Sequence, residues 1–182
     1  MSPIVRALAG LSVSLVTGLV LFGCTPAGKS VVWQDPDASF AVYKVFVVMP
    51  VFNATGKPIA DDNLALLTSL LKEQMRKNQL QVADSPPAGH GVLTVRSELL
   101  AYDVSISVFG TNLFGTHSGG TYRCTVRTLL VEQTTGQVVG RIVGTREMDV
   151  FYYSSRVDRR LLKAMAEEIA GKVATLMQPG GS

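Results

Sequence analysis

The 182-residue chain is 47% hydrophobic and 17% charged, with a formal net charge of +3. That length favours one domain, and with no basic block there is no footprint for nucleic acid. Two cysteines, Cys24 and Cys124, exclude a disulfide framework and a four-cysteine zinc site, while 17 Gly and 8 Pro at this hydrophobicity exclude a collagen-like or disordered chain.

Arg6 is the only charge ahead of Lys29, and it precedes an uncharged apolar run from Ala7 to Gly23. A short positive segment, an apolar stretch and a small residue before a cut form secretory signal architecture, here spanning residues 1–23. As a helix the run would be about 25 Å long, short of a ~30 Å hydrocarbon core. It ends in Leu21-Phe22-Gly23-Cys24, which resembles the lipobox of bacterial lipoproteins. The resemblance implies cleavage between Gly23 and Cys24, a diacylglycerol thioether on Cys24 and acylation of the new amino group. The expected partner of this end of the chain is therefore a membrane, held through acyl chains. Each buried methylene contributes ~0.8 kcal/mol, so several chains anchor what one chain holds only marginally.

A second motif overlaps the first. Residues Gly23-Cys24-Thr25-Pro26-Ala27-Gly28-Lys29-Ser30 satisfy G-x-x-x-x-G-K-[ST], the phosphate-cradling P-loop. Such a loop needs a helix starting at its Lys-Ser, so that backbone amides face the phosphate. Val31-Val32-Trp33-Gln34-Asp35-Pro36 disfavours helix, through adjacent valines and a nearby proline. The two readings also exclude each other, because cleavage before Cys24 removes Gly23. The P-loop is read as a decoy.

Residues 24–39, broken by Thr25-Pro26-Ala27-Gly28 and Asp35-Pro36-Asp37, read as a tether. From Phe40 the chain reads as a single α+β periplasmic domain over residues 40–178, with a disordered tail at 179–182. Ala41 to Met49 is β-branched and aromatic on both faces and stops at Pro50, the pattern of a central strand. Asn53 to Pro58 is a loop. Asp61 or Asp62 can cap a helix whose Leu64, Leu67, Leu71 and Met75 recur at helical spacing. Leu80-Gln81-Val82 begins a short strand. Four strand candidates follow: residues 92–100, residues 104–108, residues 122–127 and the long segment 138–153. In the third, Arg123 and Arg127 lie opposite Tyr122, Cys124 and Val126. Ser154 or Ser155 can cap a last helix with Val157, Leu161, Leu162, Met165, Ile169, Val173 and Met177 on one face. This strand-helix-strands-helix order predicts a two-layer α+β sandwich, a mixed or antiparallel sheet of about 4–6 strands with two helices on one face.

No constellation for catalysis stands out. His90 and His117 are the only histidines, each beside glycine and without a ligand at metal spacing. Cys124 alternates with apolar residues and reads as a buried thiol, and G-x-S-x-G is absent. The sequence therefore predicts no catalytic residue, metal or cofactor. The stretch Phe109 to Gly120 carries Phe-Gly-Thr twice among glycines. It reads either as an extended hairpin or loop presenting Phe109, Leu113 and Phe114 to a partner or bilayer, or as an irregular connection whose aromatics fold back on the core.

Val45-Phe46-Val47-Val48-Met49-Pro50, the Leu-rich helix, Leu80-Gln81-Val82-Ala83-Asp84, the glycine-rich stretch, the arginine-bearing strand and Thr135-Gly136-Gln137-Val138-Val139 come in an order similar to that of an uncharacterised envelope lipoprotein family. That family resembles the curli-secretion lipoprotein and the amino-terminal domain of the Tol-system periplasmic protein. In layout, Phe151-Tyr152-Tyr153 and the following long helix are also similar to the lipopolysaccharide-assembly lipoprotein that plugs an outer-membrane barrel. These resemblances imply a non-catalytic binding or assembly accessory of the Gram-negative envelope, with an envelope protein as partner. Thr25 after the lipid cysteine resembles the sorting pattern for the outer membrane, facing the periplasm.

Overall fold

The computed structural model describes residues 27–87, 89, 91–112, 115–150 and 155–178. Its strands are β1 (Ala27–Gln34), β2 (Val45–Val48), β3 (Phe52–Asn53), β4 (Gln81–Ala83), β5 (Val92–Asn112), β6 (Gly115–Glu132) and β7 (Val138–Val150). Two helices, α1 (Asp61–Lys77) and α2 (Ser155–Leu176), complete the domain. The sheet runs β1-β7-β6-β5-β2-β4, with β3 also paired to β5. β2 is parallel to both of its neighbours, whereas β1, β7, β6 and β5 are successively antiparallel. This is the expected two-layer α+β arrangement with a mixed sheet.

The core follows from side-chain period. On β6, Tyr122, Cys124, Val126, Thr128 and Leu130 are buried, and the residues between them point to the other face. On α2, Val157, Leu161, Leu162, Met165, Ile169 and Val173 are buried, and Ala166 and Ala170 complete the stripe. Leu67, Leu70, Leu71 and Met75 of α1 join them, with α1 and α2 side by side on one sheet face. Thr68 pins α1 to the segment after β2, accepting from the Val51 amide at 3.0 Å while donating to the Leu64 carbonyl at 2.8 Å. Helix α1 ends in a turn where the Leu80 amide donates to the Met75 carbonyl at 3.0 Å and Gln79 takes a positive φ of 63°.

Several local expectations are corrected. Residues 27–34 are not a tether. Val31-Val32-Trp33 is a β-forming run, and its ladder partners lie in β7, far along the chain, so local sequence could not show the pairing. The domain accordingly begins at least as early as Ala27. The central strand is shorter than expected, because residues 40–42 form a 3-10 turn that buries Phe40 edge-on to Tyr43, with ring centroids 6.2 Å apart. Residues 92–100 and 104–108 belong to one strand. A register shift at Leu100 absorbs one extra residue, so that Leu99 and Tyr102 both reach the helix-covered side. Asp61 and Asp62 sit in the first turn of α1 rather than at its cap, which is Ala60. Their charges still favour the helix N-terminus. Segments 1–23 and 179–182, and Ser154, lie outside the described residues.

Among the described residues two charged arrangements reach the covered face: Asp158 of α2 accepts from the Tyr102 hydroxyl at 2.6 Å, and an ion pair lies deeper. Arg146 of β7 pairs with Glu168 of α2, their side chains 24% and 7% exposed. Gly28, opposite Arg146 in the ladder, leaves the room this needs; a Cβ there would stand 2.5 Å from the arginine Cδ. Replacing Glu168 with Ala removes the carboxylate that pairs with this arginine and is expected to cost about 3 kcal/mol, whereas joint replacement of Arg146 and Glu168 by Met should cost far less. Chemical denaturation of the two variants checks this.

Candidate functional site

The helices cover one face of the sheet and leave the other open. Register places its residues in rows across the strands. Ala27, Glu147, Arg123 and Asp103 form one row, and Trp33, Arg141, Leu129 and Arg96 form another. Between them Val31, Val143, Arg127, Glu98 and Phe52 line up. Like charges directly across a ladder repel and opposite charges attract. The rows obey this rule. Arg123 Nε donates to Glu147 at 2.6 Å, Lys57 reaches Asp103 at 2.5 Å, and Arg127 pairs with Glu98.

At the end nearest Ala27 these groups frame an open cleft of about 460 Å³, lined by Asp103, Ser105, Thr121, Arg123 and Glu147. The Thr121 hydroxyl donates to Asp149 at 2.6 Å. The cleft is a set of paired charges and hydroxyls that offers donors and acceptors to a polar ligand. Towards the other end the surface becomes aromatic and apolar. Arg141 lies over the Trp33 ring, 5.5 Å from its centroid, while Val31 and Phe52 are 71% and 66% exposed. Exposed apolar groups among guanidinium groups are the composition of contact surfaces.

The predicted site residues fare unequally. Cys24, Leu113 and Phe114 lie outside the described residues. Phe109 lies in β5, at a second register shift between Val108 and Gly110. The backbone around it is paired, β5 with β6, from Leu93 to Asn112. The P-loop reading fails on geometry. Lys29 and Ser30 lie inside β1, opposite Thr145 and Gly144, where no helix N-terminus exists to face a phosphate. Cys124 is buried, and burial pushes its thiol up to about 12. Among the described residues no group of His, Cys, Asp and Glu could hold a metal ion, and no helix is long and apolar enough to cross a membrane.

Sequence reasoning missed most of the open face. Arg123 and Arg127 are marked by alternation, but Trp33 falls in the expected tether and Phe52 lies between the expected strand and loop, assigned to neither. The signal that could have found Trp33 is the Val-Val-Trp run itself, bracketed by Pro26 and Pro36.

No protein-family model and no curated protein matches the chain. Among solved structures, the PelC dodecamer from Paraburkholderia phytofirmans is similar over 79% of this chain and 98% of that chain, at TM-score 0.48 and 17% identity. A minor lipoprotein from Acinetobacter baumannii is similar over 73% and 94%, at TM-score 0.44 and 17% identity. A DUF4136 family protein from Bacteroides thetaiotaomicron is similar over 85% and 98%, at TM-score 0.45 and 14% identity. At such values the likeness carries no functional assignment.

The thiol of Cys124 should resist alkylation in the native protein and react at the rate of a free cysteine once the chain is unfolded in guanidinium chloride. A thiol-reactive reporter, read with and without denaturant, checks it.

Proposed function

We propose that the chain is a lipid-anchored periplasmic binding or assembly accessory of the Gram-negative envelope, and that it does no chemistry of its own. The observation that carries the reading is the run from Arg6 through Leu21-Phe22-Gly23-Cys24, where charge placement, run length and terminal box agree. The strand position of Lys29 and Ser30 supports it by removing the rival motif. The open sheet face, with Trp33, Phe52 and Val31 among arginines, is the surface such an accessory offers to a partner. In this reading Thr25 directs the protein to the outer membrane.

The test is mass spectrometry of the protein taken from its native membrane. The expected N-terminal peptide begins at Cys24 and carries two or three acyl chains. The denatured protein should then titrate a single thiol, that of Cys124, because the Cys24 sulfur is occupied. A chain that retains Gly23 and titrates both thiols would sink the lipoprotein reading. Fractionation of inner from outer membranes then reads the sorting step.

A further inference from the structure

We propose that the outer edge of β1 pairs with the same edge of a second copy of this chain, antiparallel and centred on Val31, joining two sheets into one. β1 ends the sheet on its side, and no other described strand lies beyond it. It runs eight residues without a register shift. Edges of that length are usually shortened, bulged or covered, because their unpaired amides and carbonyls invite another strand. The opposite edge is treated that way. β4 has three residues, followed at once by Asp84, which pairs with Lys72 and Arg76, and then by Pro86-Pro87.

The ladder with β7 fixes which groups of β1 face outward. The Asp35 amide donates to the Val139 carbonyl at 2.9 Å, and these two residues continue the register of β1 on β7. Antiparallel pairs alternate, so the odd-numbered residues of β1 turn their amides and carbonyls toward β7. Gly28, Ser30, Val32 and Gln34 turn theirs away. Two copies exchange hydrogen bonds only where outward groups meet outward groups, which requires the two-fold axis to pass through a residue and not between two. An axis through Ser30 sets Gln34 against Pro26, and one through Val32 sets Gly28 against Pro36. Proline has no amide hydrogen to give, so both registers lose part of a rung. With the axis through Val31, Gly28 meets Gln34, Ser30 meets Val32, and both prolines fall beyond the ladder. Such an isologous contact closes after two copies.

The side chains fit the same register. On the open face Val31, the most exposed large apolar residue of the strand, comes against Val31 of the partner subunit. This central pair exchanges no hydrogen bonds in the new ladder, which brings its side chains close. Lys29 lies opposite Trp33 of the partner subunit, its stem against the ring and its ammonium in water. Lys29 is the only charge of β1. The register holds the two lysines four rungs apart, about 14 Å, so they do not repel across the seam. On the helix side Val32, 37% exposed, meets Ser30 of the partner subunit and is covered. The seam uses Val31 and Trp33 and leaves Phe52 and the polar cleft to the envelope partner.

The test uses the full chain in mild detergent. Light scattering should give the mass of two chains, and mild oxidation of Val31→Cys should join most chains through residue 31. Lys29→Cys, at an exposed position four rungs from its own copy, should stay unjoined. Val32→Pro removes an outward amide that β7 does not use, so the circular dichroism should hold while the mass falls to one chain. Ser30→Pro repeats this step should Val32→Pro fail to fold. A single-chain mass for the wild type at high protein concentration overturns the proposal. So does an assembly of any size in which Val31→Cys and Lys29→Cys join equally, or in which the folded proline variant still associates. Peptide mapping of the joined species excludes links through Cys24 and separates the two readings. Acylated Cys24 on a single-chain species leaves the anchor standing and removes the pairing; unmodified Cys24 with the link at residue 31 does the reverse.

Discussion

One face of one sheet has to be kept dry, and two helices far apart in sequence have to meet over it to do so. Leu67, Leu71 and Met75 from α1 and Leu161, Met165, Ile169 and Val173 from α2 bury against Leu93, Val95, Val126 and Ile142. Hydrophobic burial is roughly proportional to the apolar area removed from water, so this layer dominates the stability of the domain. Everything else in the molecule is arranged around it. The opposite sheet face, relieved of packing duty, can afford arginines, carboxylates and an exposed tryptophan.

The dry layer holds its charges against partners: Asp158 takes the Tyr102 hydroxyl, and Arg146 takes Glu168. Arg146 and Glu168 fasten β7 to α2, and Gly28 gives the arginine stem a path across β1. The Ser97 and Thr128 hydroxyls, both buried, satisfy each other across β5 and β6 at 2.9 Å. A polar group left alone in such a place would cost its desolvation, so partners have to be brought in together. These pairs fix strand register and helix position more sharply than apolar contacts, which tolerate sliding.

How much of this was legible depended on how local its cause is. The stripe of α2 from Val157 to Val173 and the alternation from Tyr122 to Val126 are periodic over short windows; the helix forms as read, while the strand extends beyond 122–127 to Gly115–Glu132. The two-layer class followed from their order. What could not be read is decided by distant partners. β1 exists because β7 presents an open edge to Val31, Val32 and Trp33. The continuity of β5 past Leu100 depends on one extra residue that β6 accommodates. The open sheet face was half visible, since Arg123 and Arg127 announce an outward side, but the pairing of Trp33 with Arg141 needs the register of β1 on β7. Cys24 is the reverse case, marked by its resemblance to a lipobox and lying outside the described residues.

The pairing of β1 has a mechanical meaning. A pull on the chain ahead of Ala27 acts along the axis of an eight-residue strand laid antiparallel on β7. Force in that direction strains the rungs of the ladder together in shear, whereas a pull across the sheet would unzip them one after another. Any load applied at that end thus meets the stronger of the two geometries, the whole ladder resisting before any part of the core is asked to yield.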